Sequence, residues 1–341
     1  MAAGDLYREE GGMRKRKPGA IGRTAKLLAA ACLVSLGAVG WAQEFPLRPI
    51  TIVVPFPPGG GTDIFARAIG HKLSSAFAKP VVVENRAGAT GNIGAEAVAR
   101  STADGHTLLY TSASIALSTL AYSKPGFEPQ RDLAPVSMTL SIPYVLVVHP
   151  SVPARRMSDL IELARVRPGA LNFASAGPGS SLHLAMELLK LQAQINLHHV
   201  PYRGAAPAQT ALLGGEVDTA FLVPPLVQGH VKTGRLRALA VSSTTRSPMF
   251  SEVPTLQEAG ITGYEALQWH GFFVPAKTPA PVVDRLYREV ATALAAPDMA
   301  ERLTAEGASV VGSTPAQFAA FFRVEVGKWS EVVRVSGVKF D

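Results

Sequence analysis

Along the chain, short apolar runs alternate with longer stretches whose apolar positions recur every three to four residues. Residues 50–54 (ITIVV) form an unbroken β-branched run, the pattern of a strand buried on both faces of a parallel sheet. Pro55, Pro57 and Pro58 stop it, Gly59, Gly60 and Gly61 let the backbone turn, and Ile64, Phe65, Ala68 and Ile69 mark a helix that Thr62 or Asp63 would cap. The same order recurs: strand 81–83, the loop Gly88-Ala89-Thr90-Gly91 and helix 92–100, then strand 107–110 ending in Thr111-Ser112-Ala113-Ser114. After Pro150 a second series begins, with helix 158–165 capped by Ser158, strand 171–174, the loop SAGPGSS at 175–181, and a helix carrying Leu182, Leu184, Ala185, Leu188, Leu189 and Leu191. A short strand, the loop VPYRG at 200–204, helix 205–213 and strand 216–221 continue it. Residues 144–148 read as a strand leaving the first series, 236–241 as one heading back, and 267–274 as a strand rejoining the first. Amphipathic helices at 281–295 and 315–335 close the chain. This alternation predicts an α/β protein of two lobes, residues 43–142 with 243–341 forming one and residues 143–242 the other.

Two of these loops carry candidate chemistry. A glycine turn between a strand and a helix leaves unpaired N–H groups at the positive helix end, where open α/β sheets receive anions. A bare triple glycine is more often only a turn, so the repetition at 175–181 matters. A dinucleotide fingerprint fits poorly: counting from Gly59, its third glycine would fall on Ile64, and only Glu84, at a strand end, lies about twenty residues on. The hydroxyls at 111–114 sit where the first glycine loop points, and capping of the next short helix and contact with a ligand are both open to them.

The first 42 residues stand apart from this pattern. Arg14, Lys15, Arg16, Lys17, Arg23 and Lys26 form a basic segment, 27–40 an apolar one, and Gly40-Trp41-Ala42 a small-x-small cleavage site, so the chain reads as exported and cleaved after Ala42. The basic segment begins just after Met13, which suggests a start there. Cys32, the single cysteine, lies inside the apolar segment, and Ala29-Ala30-Ala31 before it argue against a lipid acceptor; the mature chain then has no thiol chemistry. The leader also holds seven of the 33 basic and three of the 26 acidic residues, so the formal charge of +7 falls to 26 against 23, a net of +3. With no basic cluster interleaved with aromatics, nucleic acid is not an expected partner.

Catalytic constellations are scarce. The order Gly177-Pro178-Gly179-Ser180-Ser181 is not a nucleophile elbow, and His183 falls on the following helix. His198 and His199 are adjacent in a strand and project to opposite faces, so they cannot chelate one metal, and no H-E-x-x-H occurs. The residues 229–236 lack the Lys-Ser/Thr of a phosphate loop. An exported α/β enzyme acting on a small organic acid is the competing class. A transcription-factor effector domain would need a helix-turn-helix and a cytoplasmic address, and the leader argues against both.

Taken together, VPFPPGGGTDIFAR, VVVENRAGATGNIGAEAVA, ADGHTLLY, LNFASAGPGSSLHLAMELL, VPYRGAAPA, GGEVDTAF and VPTLQEAGITGYE resemble the Bug-type solute receptors of tripartite tricarboxylate transporters, in family order and over essentially the whole mature chain. The resemblance implies a type II periplasmic binding protein, two α/β lobes joined by two crossover strands and closing on one small carboxylate, with no cofactor and no metal. It implies a monomer that delivers a di- or tricarboxylate, an aromatic acid or an amino acid to membrane subunits. Carried over residue by residue, the ligand would meet Phe56, Gly59, Gly60, Gly61, Thr62 and Asp63 on the first lobe and Ser175, Gly177, Gly179, Ser180 and Ser181 on the second. Thr111, Ser112 and Ser114 would line the cleft from the first lobe, Tyr202 and Asp218 from the second. Asp218 would either accept a ligand hydroxyl or ammonium, or be a buried cap holding the Pro224-Pro225 loop. Helix ends contribute roughly 0.3 to 1 kcal/mol each, up to about 2 when partly buried, whereas micromolar affinity needs about 8 kcal/mol. Direct hydrogen bonds to the carboxylate and exclusion of water must therefore supply most of it.

Overall fold

The β-branched run becomes strand β1 (Ile50–Val54), which lies between two parallel neighbours, β2 (Val81–Asn85) and β3 (Thr107–Ser112), so that both of its edges are paired, and four of its five residues are buried. The computed structural model describes residues 45–117, 120 and 126–338; the leader, with Cys32 and the cleavage site after Ala42, lies outside the described residues. Between these strands run α1 (Gly61–Phe77) and α2 (Asn92–Ala99). A short helical turn, α3 (Pro129–Asp132), leads into β4 (Leu133–Pro143), a long strand that the sequence reading passed over although Val136 to Ile142 alternate strictly between apolar and polar residues.

The chain then crosses to a second sheet through β5 (Val145–Val148), α4 (Met157–Val166), β6 (Asn172–Ser175), α5 (Ser181–Ala193), β7 (His198–Pro201), α6 (Ala205–Leu213), β8 (Thr219–Leu222), α7 (Pro224–Lys232) and β9 (Arg237–Val241). Helix α4 is capped by Arg156 and Asp159, two residues upstream of the Ser158 that the sequence suggested. Strand β10 (Leu267–Pro275) returns to the first sheet, followed by α8 (Ala280–Ala295), α9 (Pro297–Ala305), β11 (Ser309–Val310) and α10 (Pro315–Ser336). The six-stranded sheet has the order β11-β4-β10-β3-β1-β2 and the five-stranded one β7-β6-β8-β5-β9. Among the described residues no helix is long and apolar enough to cross a membrane.

Register places the functional ends. Pro143 at the end of β4 pairs with Leu267 at the start of β10, and Ser112 at the end of β3 pairs with His270, so the carboxyl ends of the parallel strands of the first sheet point toward the crossings. On the other side Val145 pairs with both Leu222 and Val241, which turns the carboxyl end of β8, and of its parallel partner β6, toward the same crossings. At the crossing Tyr144 and Ser242 bind each other: the Tyr144 amide donates to Ser242 Oγ at 2.7 Å and the Ser242 amide to the Tyr144 carbonyl at 2.9 Å.

Residues 243–266 follow β9. Thr255 bridges to Val241, the Leu256 amide donates to the Val241 carbonyl, and the Tyr264 hydroxyl donates to the Ala185 carbonyl of α5, so this segment packs against the second sheet before β10 begins at Leu267. A single bridge rather than a run of paired residues holds it, which is why no strand pattern marks it.

Helix α10 ties the region together, packing on α5 of the second sheet and on β4 and residues 113–117 of the first. Its Glu325 is buried, with Trp269 Nε1 and Trp329 Nε1 each donating to Oε2 at 3.0 Å and Lys328 paired to the other oxygen.

Candidate functional site

The first glycine loop is held from behind. Asp63, only 3% exposed, accepts from the Gly59 amide at 2.9 Å, from Arg67 Nε at 3.0 Å and from Asn85 Nδ2 at 2.9 Å. Burial alone would raise its pKa, but the Arg67 guanidinium, the Gly59 amide and the Asn85 amide outweigh it and hold the carboxyl at about 2. Asn85 also donates to the Phe56 carbonyl at 3.1 Å, and the Phe56 ring lies against Gly91 in the neighbouring glycine loop. That second contact is possible because α2 presses close: a Cβ on Gly94 would meet the Arg86 carbonyl at 2.7 Å and Pro55 Cβ at 2.9 Å.

This latch corrects two readings of the loop. The cap of α1 is Gly60, with no side-chain cap, rather than Thr62 or Asp63, and its φ of −78° is open to any residue. The Thr62 hydroxyl instead meets His270 Nε2 at 3.1 Å, behind the helix. His270 is fully buried between Phe65 and Tyr110, and burial pushes its pKa down to about 3. Because no side chain caps α1, the N–H groups of Gly60, Gly61, Thr62 and Asp63 have no partner among the described residues. Beside Gly59, Gly60 and Gly61 there is also room, since Cβ atoms there would approach nothing closer than 3.8 Å. Arg67, the base on this helix turn, is already spent on Asp63.

The second loop repeats the arrangement with different supports. Ser175 Oγ donates to the Gly177 carbonyl and accepts from the Gly177 amide, both at 3.1 Å, and lies 2.6 Å from His199 Nε2. The Gly179 amide donates to His183 Nδ1 at 3.0 Å, which the loop achieves with Gly179 at φ +66°. Ser180 caps α5 by accepting the His183 amide at 3.3 Å, leaving the N–H groups of Ser181 and Leu182 without a partner among the described residues. The His183 and Gly179 contact was not legible as such: an i, i+4 spacing between a glycine and a histidine has no motif.

The remaining sequence-derived candidates divide. Ser112 and Ser114 are half-buried at the carboxyl end of β3 with their hydroxyls 3.3 Å apart, whereas Thr111 is only 1% exposed, its strand position turning it into the core. The Tyr202 hydroxyl faces the Glu216 carboxylate, and burial together with that carboxylate raises its pKa; Glu216 precedes β8, at the amino end of the sheet, so this side chain is directed away from the glycine loop. Its amide still binds the loop, donating to the Ser175 carbonyl at 3.1 Å. Asp218 also lies at the amino end of β6 and β8, where its carboxylate accepts the Asn172 amide at 2.7 Å; it braces the entry to β6 and not the Pro224-Pro225 loop. Sequence reasoning passed over Arg203, which is exposed in the loop after β7, beside the second glycine loop, and forms no hydrogen bond or ion pair among the described residues.

Two sheets thus aim strand ends, and two helices their first turns, at one crossing region, with amide and hydroxyl donors and, among the described residues, no lysine or arginine bonded to the backbone of either loop. Among the described residues no group of three or more His, Cys, Asp or Glu could hold a metal ion.

The chain is similar to known proteins. The chain is 42% identical over 317 residues to the UPF0065 protein in the tcbD-tcbE intergenic region of Pseudomonas sp. strain P51, covering 92% of this chain and 94% of that one. It is 40% identical over 300 residues to protein BugT of Bordetella pertussis, with 87% and 92% covered. Among solved structures, Rpa4515 of R. palustris with adipate superposes with a TM-score of 0.73 at 34% identity, covering 87% of this chain and 99% of that one. MatC of Rhodopseudomonas palustris with bound malate gives 0.69 at 32% identity, with 85% and 100% covered. The periplasmic binding protein BugD gives 0.70 at 33% identity, with 86% and 99% covered. The family model of the tripartite tricarboxylate transporter family receptors, TctC, matches residues 65–338, and the chain belongs to that family.

Proposed function

We propose that this protein is a periplasmic receptor that captures a small organic acid between its two lobes and passes it, unchanged, to the membrane subunits of a transporter. One observation carries the reading. The first turn of α1 offers the amides of Gly60, Gly61, Thr62 and Asp63 with no internal partner and no side chain in front of them, which is the environment of a bound carboxylate. The Ser181 and Leu182 amides at α5 supply the opposing set. Adipate in Rpa4515 and malate in MatC make dicarboxylates the first class to test.

Each lobe is built on one sheet, with the crossings at 143–145 and 266–267 as the hinge. The contacts of the ligand are Phe56, Gly59, Gly60, Gly61 and Thr62 on one side and Gly177, Gly179, Ser180 and Ser181 on the other, with Ser112 and Ser114 at the cleft wall. Asp63, Ser175 and Asp218 support the lobes from behind. The receptor acts as a monomer without a cofactor, and its mature form begins at Gln43 after cleavage of the leader.

A thermal-shift screen of the purified protein against adipate, malate and a panel of tricarboxylates, aromatic acids and amino acids tests this. A ligand present at a hundred times its dissociation constant adds about 2.7 kcal/mol of stability. A shift for at least one acid, with the acid recovered intact, is the expected result; chemical conversion of the acid contradicts it.

A further inference from the structure

The supports of the second glycine loop include a pair of stacked imidazoles that the receptor reading leaves unused. The rings of His183 on α5 and His199 on β7 lie 3.7 Å apart at an angle of 14°, a face-to-face stack, with the Phe173 ring against His199 at 4.8 Å. Each holds one side of the loop: His183 Nδ1 accepts the Gly179 amide, and His199 Nε2 meets the Ser175 hydroxyl that brackets Gly177.

The hydrogen-bond chemistry fixes a protonation state. Nδ1 of His183 can accept an amide proton only when it carries none itself, so its proton sits on Nε2, which faces Glu187 Oε1 at 3.6 Å. Glu187 is itself buried and bound to Lys190 Nζ at 2.7 Å. Burial would raise the Glu187 carboxyl, yet His183 and Lys190 beside it hold it below its ordinary range. The groups facing the stack are therefore Glu187 and Lys190 from α5 and His198 and His199 from β7.

From these contacts we infer that His183 and His199 are positioning residues for ligand capture: the neutral stack holds the loop at 175–181 in its anion-receiving form, and protonation of His183 releases the Gly179 amide and weakens capture. The inference rests on the two-loop reading of the site.

The sequence of events follows from charge. Two parallel rings at this distance resist carrying two charges, and burial together with a cation on His183 pushes the His199 pKa down to about 4. Glu187 lies within ion-pair distance of His183, 3.6 Å from Nε2, so a proton added to the stack finds its carboxylate partner at His183. It enters at Nδ1, replacing an acceptor by an N–H that faces the Gly179 N–H. The Glu187 carboxylate neutralises the added charge, so the bound anion gains little attraction while the loop loses its geometry.

The test uses backbone amide exchange in the ligand-free protein. Relative to a buried amide of β1, protection at Gly179 should fall about tenfold or more on going from neutral to mildly acidic pH. His183→Asn places an acceptor oxygen where Nδ1 sits and does not titrate, so it should keep the neutral-pH protection and lose the pH dependence. His183→Leu should be unprotected throughout. Identical pH profiles for wild type and His183→Asn, or full protection in His183→Leu, overturn the inference. Imidazole nitrogen shifts of the wild type need no variant: a proton on Nδ1 of His183 at neutral pH overturns it as well. Titration with adipate and malate then separates the two readings, because absence of binding with a pH-dependent loop counts against the ligand class and leaves the loop assignment standing, whereas binding of the same tightness at both pH values, with the loop released, counts against its role in capture.

Discussion

The two glycine loops have the same shape of job and different supports. The first is fastened by a carboxylate: Asp63 gathers Gly59, Arg67 and Asn85, and stays ionised down to about pH 2. The second is fastened by neutral imidazoles and a hydroxyl, His183, His199 and Ser175. The sign of the acid response follows. An Asp whose pKa is lowered from 3.8 to about 2 contributes stability that is complete above 3.8 and is lost only as the pH falls toward 2. A His whose pKa is lowered from 6.5 to about 4 begins to lose its contribution already below 6.5, and the loss is complete below 4. His270, behind Thr62, follows the same rule: its contribution also begins to fall below 6.5, and the loss is complete below about 3. The carboxylate latch on the first loop therefore holds across the mildly acidic range, whereas the imidazoles behind both loops lose stability within it.

Breaking the first latch is expected to have the largest effect on folding. Asp63→Ala strands the Gly59 amide and the Asn85 amide, while Arg67, half exposed, rehydrates; the expected loss is about 2 to 3 kcal/mol, read by chemical denaturation. Stability like that of the wild type would show that the latch is ornamental. A smaller effect sharpens the contrast between the glycines. Gly179→Ala forces a side chain to φ +66° and should cost about 1 kcal/mol, whereas Gly60→Ala, at φ −78° with its nearest neighbour at 3.8 Å, should leave stability unchanged or slightly raised. Equal costs would mean that the two loops do not differ in backbone as described. The smallest effect belongs to Arg203→Gln: an exposed cation beside the second loop steers anions rather than holding them, so the association rate should fall at low salt with the dissociation rate unchanged. A faster dissociation rate would make Arg203 a direct contact.

Much of this was legible in the residues. The run ITIVV and the loops GGG and SAGPGSS announce the strand ends because glycine and proline punctuate a β-branched pattern, and the resemblance to the receptor family, carried by several motifs in order, gave the two-lobe fold. Less legible was the direction of side chains around those ends. Strand 216–221 starts three residues early; β8 begins at Thr219, and Asp218, placed in the cleft by the resemblance, lies at the amino end with its carboxylate on the Asn172 amide. Tyr202 and Thr111 were carried over from the resemblance; in the structure Thr111 is buried in β3 and the Tyr202 hydroxyl faces the Glu216 carboxylate. Asp63 was seen, but its role depends on Arg67 one turn on and Asn85 from another strand, a three-way contact that no local spacing encodes.

The central claim is that a carboxylate is held by the bare amides of the first turn of α1 together with those of α5, and is released unchanged. Calorimetric titration of the Gly60→Val protein with the acid that most raises the melting temperature of the wild type tests it most directly. The Cβ at residue 60 meets only the Pro57 carbonyl, at 3.8 Å, so the variant should fold, at the modest cost of a poorer N-cap. The account predicts a loss of affinity of about a hundredfold or more, the equivalent of roughly 2.7 kcal/mol of charge-assisted hydrogen bonds displaced by the added side chain. Wild-type affinity in the folded variant would contradict it, because the ligand would then be bound somewhere other than over the turn at Gly60.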